Sequence, residues 1–157
     1  MSPATARGAW ARAAGLLAVV VAADQATKAL VRADLERGQS SELVPGVLEL
    51  VHGRNSGVAF GFLQGRGSIV VPITVVAICA LLAYFARHAR TRLAWVPTGL
   101  LLGGALGNGI DRVRDGAVTD FIDFALWPAF NVADSAITLG VIALLVVVEL
   151  DARARPG

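Results

Sequence analysis

The sequence predicts a membrane α-helical protein: a four-transmembrane-helix bundle carrying a small extracytoplasmic β-element at the membrane surface. Three observations lead there. Of 157 residues, 55% are hydrophobic and only 17% are charged, against roughly 25% charged in ordinary soluble domains. The apolar content is Ala, Val and Leu with only 6% aromatics, so helices can be apolar all round rather than along one stripe. Charge-free stretches recur at lengths near the ~20 residues that cross ~30 Å of hydrocarbon. A chain this short forms a single integral membrane domain over residues 1–157 and has no room for a large ectodomain.

The first span is expected at about 12–31. Arg7 and Arg12 precede the apolar run Ala13 to Ala23, and Val21-Ala22-Ala23 resembles a signal-peptidase cleavage site. Against removal of this segment, the apolar face resumes at Ala26, Ala29, Leu30 and Val31, and Asp24 and Lys28 at i,i+4 neutralise each other on one helical face. An outer segment follows over about 32–66. Within it Val47 to His52 reads as a strand after the Pro45-Gly46 turn.

Gly67–Ala86 and Leu93–Ile110 are uncharged and give the second and third spans, since a mid-bilayer charge costs about 3 kcal/mol on insertion scales. Gly99, Gly103 and Gly107 recur every fourth residue, the small-xxx-small pattern of close helix packing within a bundle. A second outer segment, about 111–132, contains the Asp115-Gly116 turn and a strand over Val118 to Phe124. The fourth span, about 133–150, lies between Asp134 and Glu149 near its ends. Four crossings place both termini on one side with Arg7, Arg12, Arg87, Arg90, Arg92, Arg153 and Arg155. The other side carries as many cations, Lys28, Arg32, Arg37, Arg54, Arg66, Arg112 and Arg114, but dispersed among most of the carboxylates. The denser set predicts cytoplasmic termini.

A net charge of +2 without a basic run interleaved with aromatics excludes a nucleic-acid groove. Cys79 is the one cysteine, so there is no intrachain disulfide. With only His52 and His88 beside it, no metal or other cofactor is expected. A Ser/His/Asp triad is equally poor, because His88 falls in the inner loop and His52 reads as a surface strand residue.

The polar residues gather instead near the outer helix ends: Asp24, Thr27 and Lys28, then Asn55, then Asn108, Asp111 and Arg112, then Asp120 and Asp123, then Asn131 and Asp134. Asp24/Lys28 and Asp111/Arg112 are readable as structural pairs, and Asp134 as a carboxylate at a helix N-terminus. Asp120, Asp123 and Asp134 then remain without basic neighbours in sequence. Two carboxylates in a low-dielectric cleft share a proton near neutral pH. That state suits amide hydrolysis, in which one carboxylate takes a proton from water while its partner hydrogen-bonds the scissile carbonyl. The same carboxylates would also serve a small proton or ion transporter, and the glycine stripe a non-enzymatic bundle docking partner helices.

Five ordered blocks resemble the motifs of lipoprotein signal peptidase (signal peptidase II): Asp24-Gln25-Ala26-Thr27-Lys28, Asn55-Ser56-Gly57-Val58-Ala59-Phe60, Gly107-Asn108-Gly109-Ile110-Asp111-Arg112, Val118-Thr119-Asp120-Phe121 and Phe130-Asn131-Val132-Ala133-Asp134-Ser135. The resemblance implies a monomeric aspartyl endopeptidase of the bacterial inner membrane. Such an enzyme removes the signal peptide of prolipoproteins just before a diacylglyceryl-modified cysteine, near the outer face and among membrane lipids. It implies Asp120 and Asp134 as the catalytic pair and Asn55, Asn108, Arg112 and Asn131 as residues lining the site or holding substrate. It further implies Asp24, Lys28 and Asp111 as structural or orienting residues, and Leu43 to Phe62 as a β-cradle. Asp123 is a second candidate three residues on, but in a strand positions 120 and 123 face opposite ways, and the motif register selects Asp120.

Overall fold

The computed structural model describes residues 3–57 and 67–154, with side chains over 6–57 and 72–154. Val58 to Phe60 of the second motif block, and the rest of the first outer segment to Arg66, lie outside the described residues. The chain order is α1 (Pro3–Asp34), β1 (Ser40–Val44), β2 (Leu48–Asn55), α2 (Gly67–His88), α3 (Trp95–Asp115), β3 (Val118–Phe124), β4 (Trp127–Phe130) and α4 (Val132–Arg153).

Among the described residues four helices form the body, one for each expected span. α1, over Ala6–Asp34, and α4 are long and apolar enough to cross a bilayer, and α2 runs for 22 residues with no charge before Arg87. α3 carries Asn108, Asp111, Arg112, Arg114 and Asp115 in its last two turns, which dilutes its apolar character. It also starts at Trp95 rather than at Leu93, because Leu93 adopts φ 66°, a left-handed value that ends regular helix for a branched residue. α2 runs through His88, two residues into the expected inner loop.

α3 is the centre of the bundle, with α1 and α4 packed along it. The glycine stripe explains how closely. A Cβ at Gly99 would lie 2.8 Å from Leu16 Cβ, one at Gly103 2.7 Å from Val20 Cβ and one at Gly107 2.6 Å from Asp24 Oδ2, so all three face α1. Gly104 does the same for α4, its Cβ position falling 2.4 Å from the Ala133 carbonyl oxygen. The stripe is therefore used up inside the molecule. Outside, Val19, Val76, Leu139, Ile142 and Leu145 are each more than half exposed, while Asp24, Lys28, Asn108, Asp111, Asp120 and Asn131 are buried. Apolar residues outside and polar residues inside is the arrangement a bilayer imposes.

The β-element is larger than expected, a four-stranded antiparallel meander in the order β1-β2-β3-β4. β3 keeps the predicted bounds, and β2 extends from the expected strand to Asn55. Gly46, at φ 67°, makes the β1–β2 turn, and Gly116, at φ 71°, caps α3 with its N–H on the Arg112 carbonyl. Gly53 pairs with Asp120 and Glu49 with Asp123. β2 and β3 thus fix where each acidic side chain of β3 points.

Candidate active site

The site is built on a buried ion cluster. Asp24 and Lys28 lie one helical turn apart on α1 and meet at 2.9 Å, and Lys28 Nζ is 3.1 Å from Asp111 Oδ2 on α3, with all three side chains fully buried. The expected Asp111/Arg112 pair does not form, because the two side chains are engaged elsewhere, Asp111 by Lys28 and Arg112 by the Gly57 carbonyl. Asp111 instead faces Lys28, with Arg32 Nη1 3.7 Å and Arg114 Nη2 3.8 Å away.

Backbone and amide donors complete the cluster. Asp24 Oδ1 accepts the Ala133 N–H at 3.0 Å, Asp111 Oδ2 accepts the Thr119 N–H at 3.1 Å, and Gln25 Nε2 donates to Asp24, Asp111 and the Gly107 carbonyl at 3.1 Å each. Arg32 Nη1 donates to Thr119 Oγ1 at 3.0 Å. One cluster therefore ties α1, α3, β3 and the start of α4 together, and leaving any of its charges unpaired would cost several kcal/mol. Gln25 and Arg32 were not singled out from the sequence. The only sign of Gln25 was its place inside the first motif block.

The two candidate carboxylates stand on neighbouring elements. Asp134 is the third residue of α4 and closes a capping box with Asn131: Asn131 Oδ1 accepts the Asp134 N–H at 2.9 Å, and the Asn131 N–H reaches Asp134 Oδ2 at 3.3 Å. The spacing that caps the helix thereby holds the carboxylate. Asn131 Nδ2 in turn donates to Asp120 Oδ1 at 2.7 Å, so one asparagine touches both acids.

The other oxygens are held as well. Asn55 Nδ2 donates to Asp120 Oδ2 at 2.9 Å, and Asn108 Nδ2 to Asp134 Oδ1 at 2.8 Å. Arg112 Nη2 donates to the Gly57 carbonyl at 2.8 Å, just after Asn55, whose Oδ1 accepts the Gly57 N–H. Asp123 stays apart, on the register opposite Glu49. His52 Nδ1 contacts the Leu35 carbonyl oxygen at 2.9 Å, a strand-to-helix tie outside this cluster. Asn55, Asn108, Arg112, Asn131, Asp120 and Asp134 are therefore brought together, with Asp24, Lys28 and Asp111 directly behind them.

Asp120 is 4% exposed. Burial pushes its carboxyl up to about 6; the hydrogen bond from Asn55 opposes the rise, the neighbouring Asp134 charge adds to it, and Asn131 and Lys28 oppose it more weakly. A carboxyl in that range exchanges protons near neutral pH. Both acids line a cavity of about 1050 Å³ whose lining is otherwise largely apolar, with Ile73, Ile78 and Leu81 of α2, Leu101 of α3, Ile137 of α4 and Trp127 and Phe130 of β4. Charge counting could not find β4: its signal was the aromatic pair Trp127 and Phe130 flanking a proline. The arrangement is a half-polar, half-apolar cleft able to hold an extended peptide against two acids and its apolar attachments against the helices.

The family model described as Signal peptidase (SPase) II matches residues 16–150. The chain is 41% identical over 127 residues to the lipoprotein signal peptidase of Halothermothrix orenii, covering 81% of this chain and 88% of that one. It is 40% identical over 142 residues to the lipoprotein signal peptidase of Staphylococcus aureus, covering 87% of each. Two bacterial membrane enzymes solved by the in meso method share the fold. One superposes with a TM-score of 0.84 at 36% identity, covering 92% of this chain and 91% of the other, and the second with 0.78 at 37%, covering 87% and 91%.

Proposed function

The chain belongs to the signal peptidase II family, and on that premise we propose that it is an aspartic endopeptidase, cleaving bacterial prolipoproteins just before the diacylglyceryl-modified cysteine with Asp120 and Asp134. Removal of prolipoprotein signal peptides is the activity of the family, and membership sets aside the transporter and the non-enzymatic bundle. The observation that carries the aspartic reading is the bridging by Asn131 of two carboxylates that both line the cavity. Water entering there meets one carboxylate able to accept its proton and one able to donate to the scissile carbonyl, help worth about 10²- to 10⁴-fold for a positioned group. Asn55 and Arg112 border the substrate side, and the apolar helix faces suit the acyl chains and the signal helix.

The same reading places the protein as a monomer with four crossings in the inner membrane. The polar cluster then lies near the outer face, and the arginine-rich ends of the helices are cytoplasmic. The test is to incubate purified protein in lipid with a diacylglyceryl-modified prolipoprotein and follow the product by mass. Asp120→Asn and Asp134→Asn each lose cleavage by about 10²-fold or more. Undiminished cleavage by both variants sinks the reading.

A further inference from the structure

Lys28 does more than close two ion pairs. Its ammonium donates to Asn108 Oδ1 at 2.9 Å, and an ammonium has three donors and no acceptor. The amide atom facing Lys28 is therefore oxygen, which forces the Asn108 NH₂ towards Asp134 Oδ1, 2.8 Å away. The same elimination fixes Asn131: its oxygen faces the Asp134 N–H, so its NH₂ faces Asp120 and also reaches Asn108 Oδ1 at 3.1 Å. Flipping either amide sets donor against donor in a buried site.

The two acids differ in what lies behind them. Asp134 sits in the first turn of the 22-residue α4, where the helix dipole and free N–H groups favour an anion. Asp120 is in a strand, and what it meets at the start of α4 is the Asn131 side-chain amide, whereas Asp134 is itself a first-turn residue bonded by the Asn131 backbone N–H. The charged groups facing Asp134 are Lys28 and Asp24 of α1, Arg112 of α3 and Asp120 of β3. Lys28 shares its charge with Asp24 and Asp111, so its long-range field is largely cancelled. Its influence on Asp134 passes through the orientation of the Asn108 amide.

We propose that Lys28, acting through Asn108, makes Asp134 the proton-accepting carboxylate of the pair and leaves the catalytic proton on Asp120. Lys28 is thus a positioning residue. The proposal rests on the dyad reading above. Asp134 takes a proton from water as the water oxygen bonds to the scissile carbonyl carbon, and the carbonyl oxygen, receiving the π electron pair, takes the proton of Asp120. On collapse the C–N bond breaks, the leaving nitrogen takes the proton held by Asp134, and one hydroxyl returns its proton to Asp120 as the new carbonyl forms. Both acids end as they began.

The experiment measures kcat, KM and the pH profile of prolipoprotein cleavage in two variants. Asn108→Asp keeps an oxygen on Lys28 but presents an oxygen in place of NH₂ to Asp134. The acidic limb of its kcat/KM profile moves up by about one pH unit or more, and kcat falls with little change in KM. Lys28→Gln combined with Asp111→Asn removes the clamp while leaving the net charge of the cluster unchanged, and shifts the same limb with at least an about tenfold loss of kcat. Should the double variant not fold, Asn108→Asp decides alone. A folded Asn108→Asp protein whose limbs stay in place, or whose alkaline limb moves instead, overturns the proposal. If Asp120→Asn and Asp134→Asn also cleave normally, it is the dyad reading that has failed, and the two failures are told apart.

Discussion

Gly107→Ala adds one methyl group at the point where α1, α3 and α4 meet. The new Cβ would stand 2.6 Å from Asp24 Oδ2 and 3.3 Å from Ala133 Cβ. Restoring ordinary contact with the oxygen requires an opening of about 0.8 Å. Asp24 cannot yield that distance freely, because Oδ2 is bound to Lys28 at 2.9 Å and to Gln25 at 3.1 Å while Oδ1 holds the Ala133 N–H at 3.0 Å. The strain therefore passes to the helices. Overpacking of this kind costs about 1–3 kcal/mol, which for a chain of this size lowers Tm by about 2–12 °C.

Gly109 is the internal control. It lies two residues on in the same helix with nothing within 4 Å of its Cβ position, so Gly109→Ala gains up to about 1 kcal/mol of helix propensity. Intrinsic tryptophan fluorescence of the detergent-solubilised protein on heating reads both, and cleavage of lipid-modified prolipoprotein reads the consequence for the site. The two substitutions are predicted to move Tm in opposite directions, with activity lost only at Gly107. Equal Tm values and equal activity for the two variants would refute the packing argument.

Two further outcomes follow from the same network. Asp120 holds its proton up to about 6 when folded against about 3.9 unfolded, so between these values the folded state binds more protons and raising the pH removes stability, about 2 kcal/mol from pH 4 to 6. Asp120→Asn removes this contribution, whatever its own offset; a variant whose pH–stability curve keeps the wild-type fall across that window contradicts the assignment. Asn131→Ala loses a helix cap worth about 1–2 kcal/mol, and Asn131→Asp, a good cap elsewhere, does not restore it, because the lost NH₂ faces three acceptors, Asp120 Oδ1, Asn108 Oδ1 and the Thr119 carbonyl oxygen. A wild-type Tm in Asn131→Asp would show that capping alone matters there.

What the sequence made legible was local. Asp24 and Lys28 at i,i+4, Asp134 as a carboxylate at a helix N-terminus, and β3 with positions 120 and 123 facing opposite ways each declare their geometry within a few residues, and these carry most of the candidate site. What it hid depends on contacts distant along the chain. Asp111 was read with its neighbour Arg112, yet the ammonium of Lys28 and the amide of Gln25 that hold it stand more than eighty residues away, contacts created by the packing of α1 on α3. Strands β1 and β4 were missed for a similar reason: short edge strands take their stability from the pairing partner rather than from intrinsic preference. Four crossings followed from counting charges, and α3 shows the limit of that count, since its last turns carry the site.

The choice of amides around the two acids has a physical logic. An arginine or lysine in direct contact would hold a carboxyl ionised, lowering its titration by about 1–3 units, and the acid needed to protonate the carbonyl would be lost. Asn55, Asn108 and Asn131 hydrogen-bond Asp120 and Asp134 as neutral donors that orient without fixing charge. The cations stand one step back, Lys28 behind Asn108 and Arg112 on the Gly57 carbonyl. Neutral amides alone would be free to flip; Lys28 forbids it at Asn108, and the backbone N–H groups of Asp134 and Gly57 forbid it at Asn131 and Asn55. In a chain with so few charged residues, placing cations behind amides lets the same groups bind the helices together and keep a proton available at the surface of the cleft.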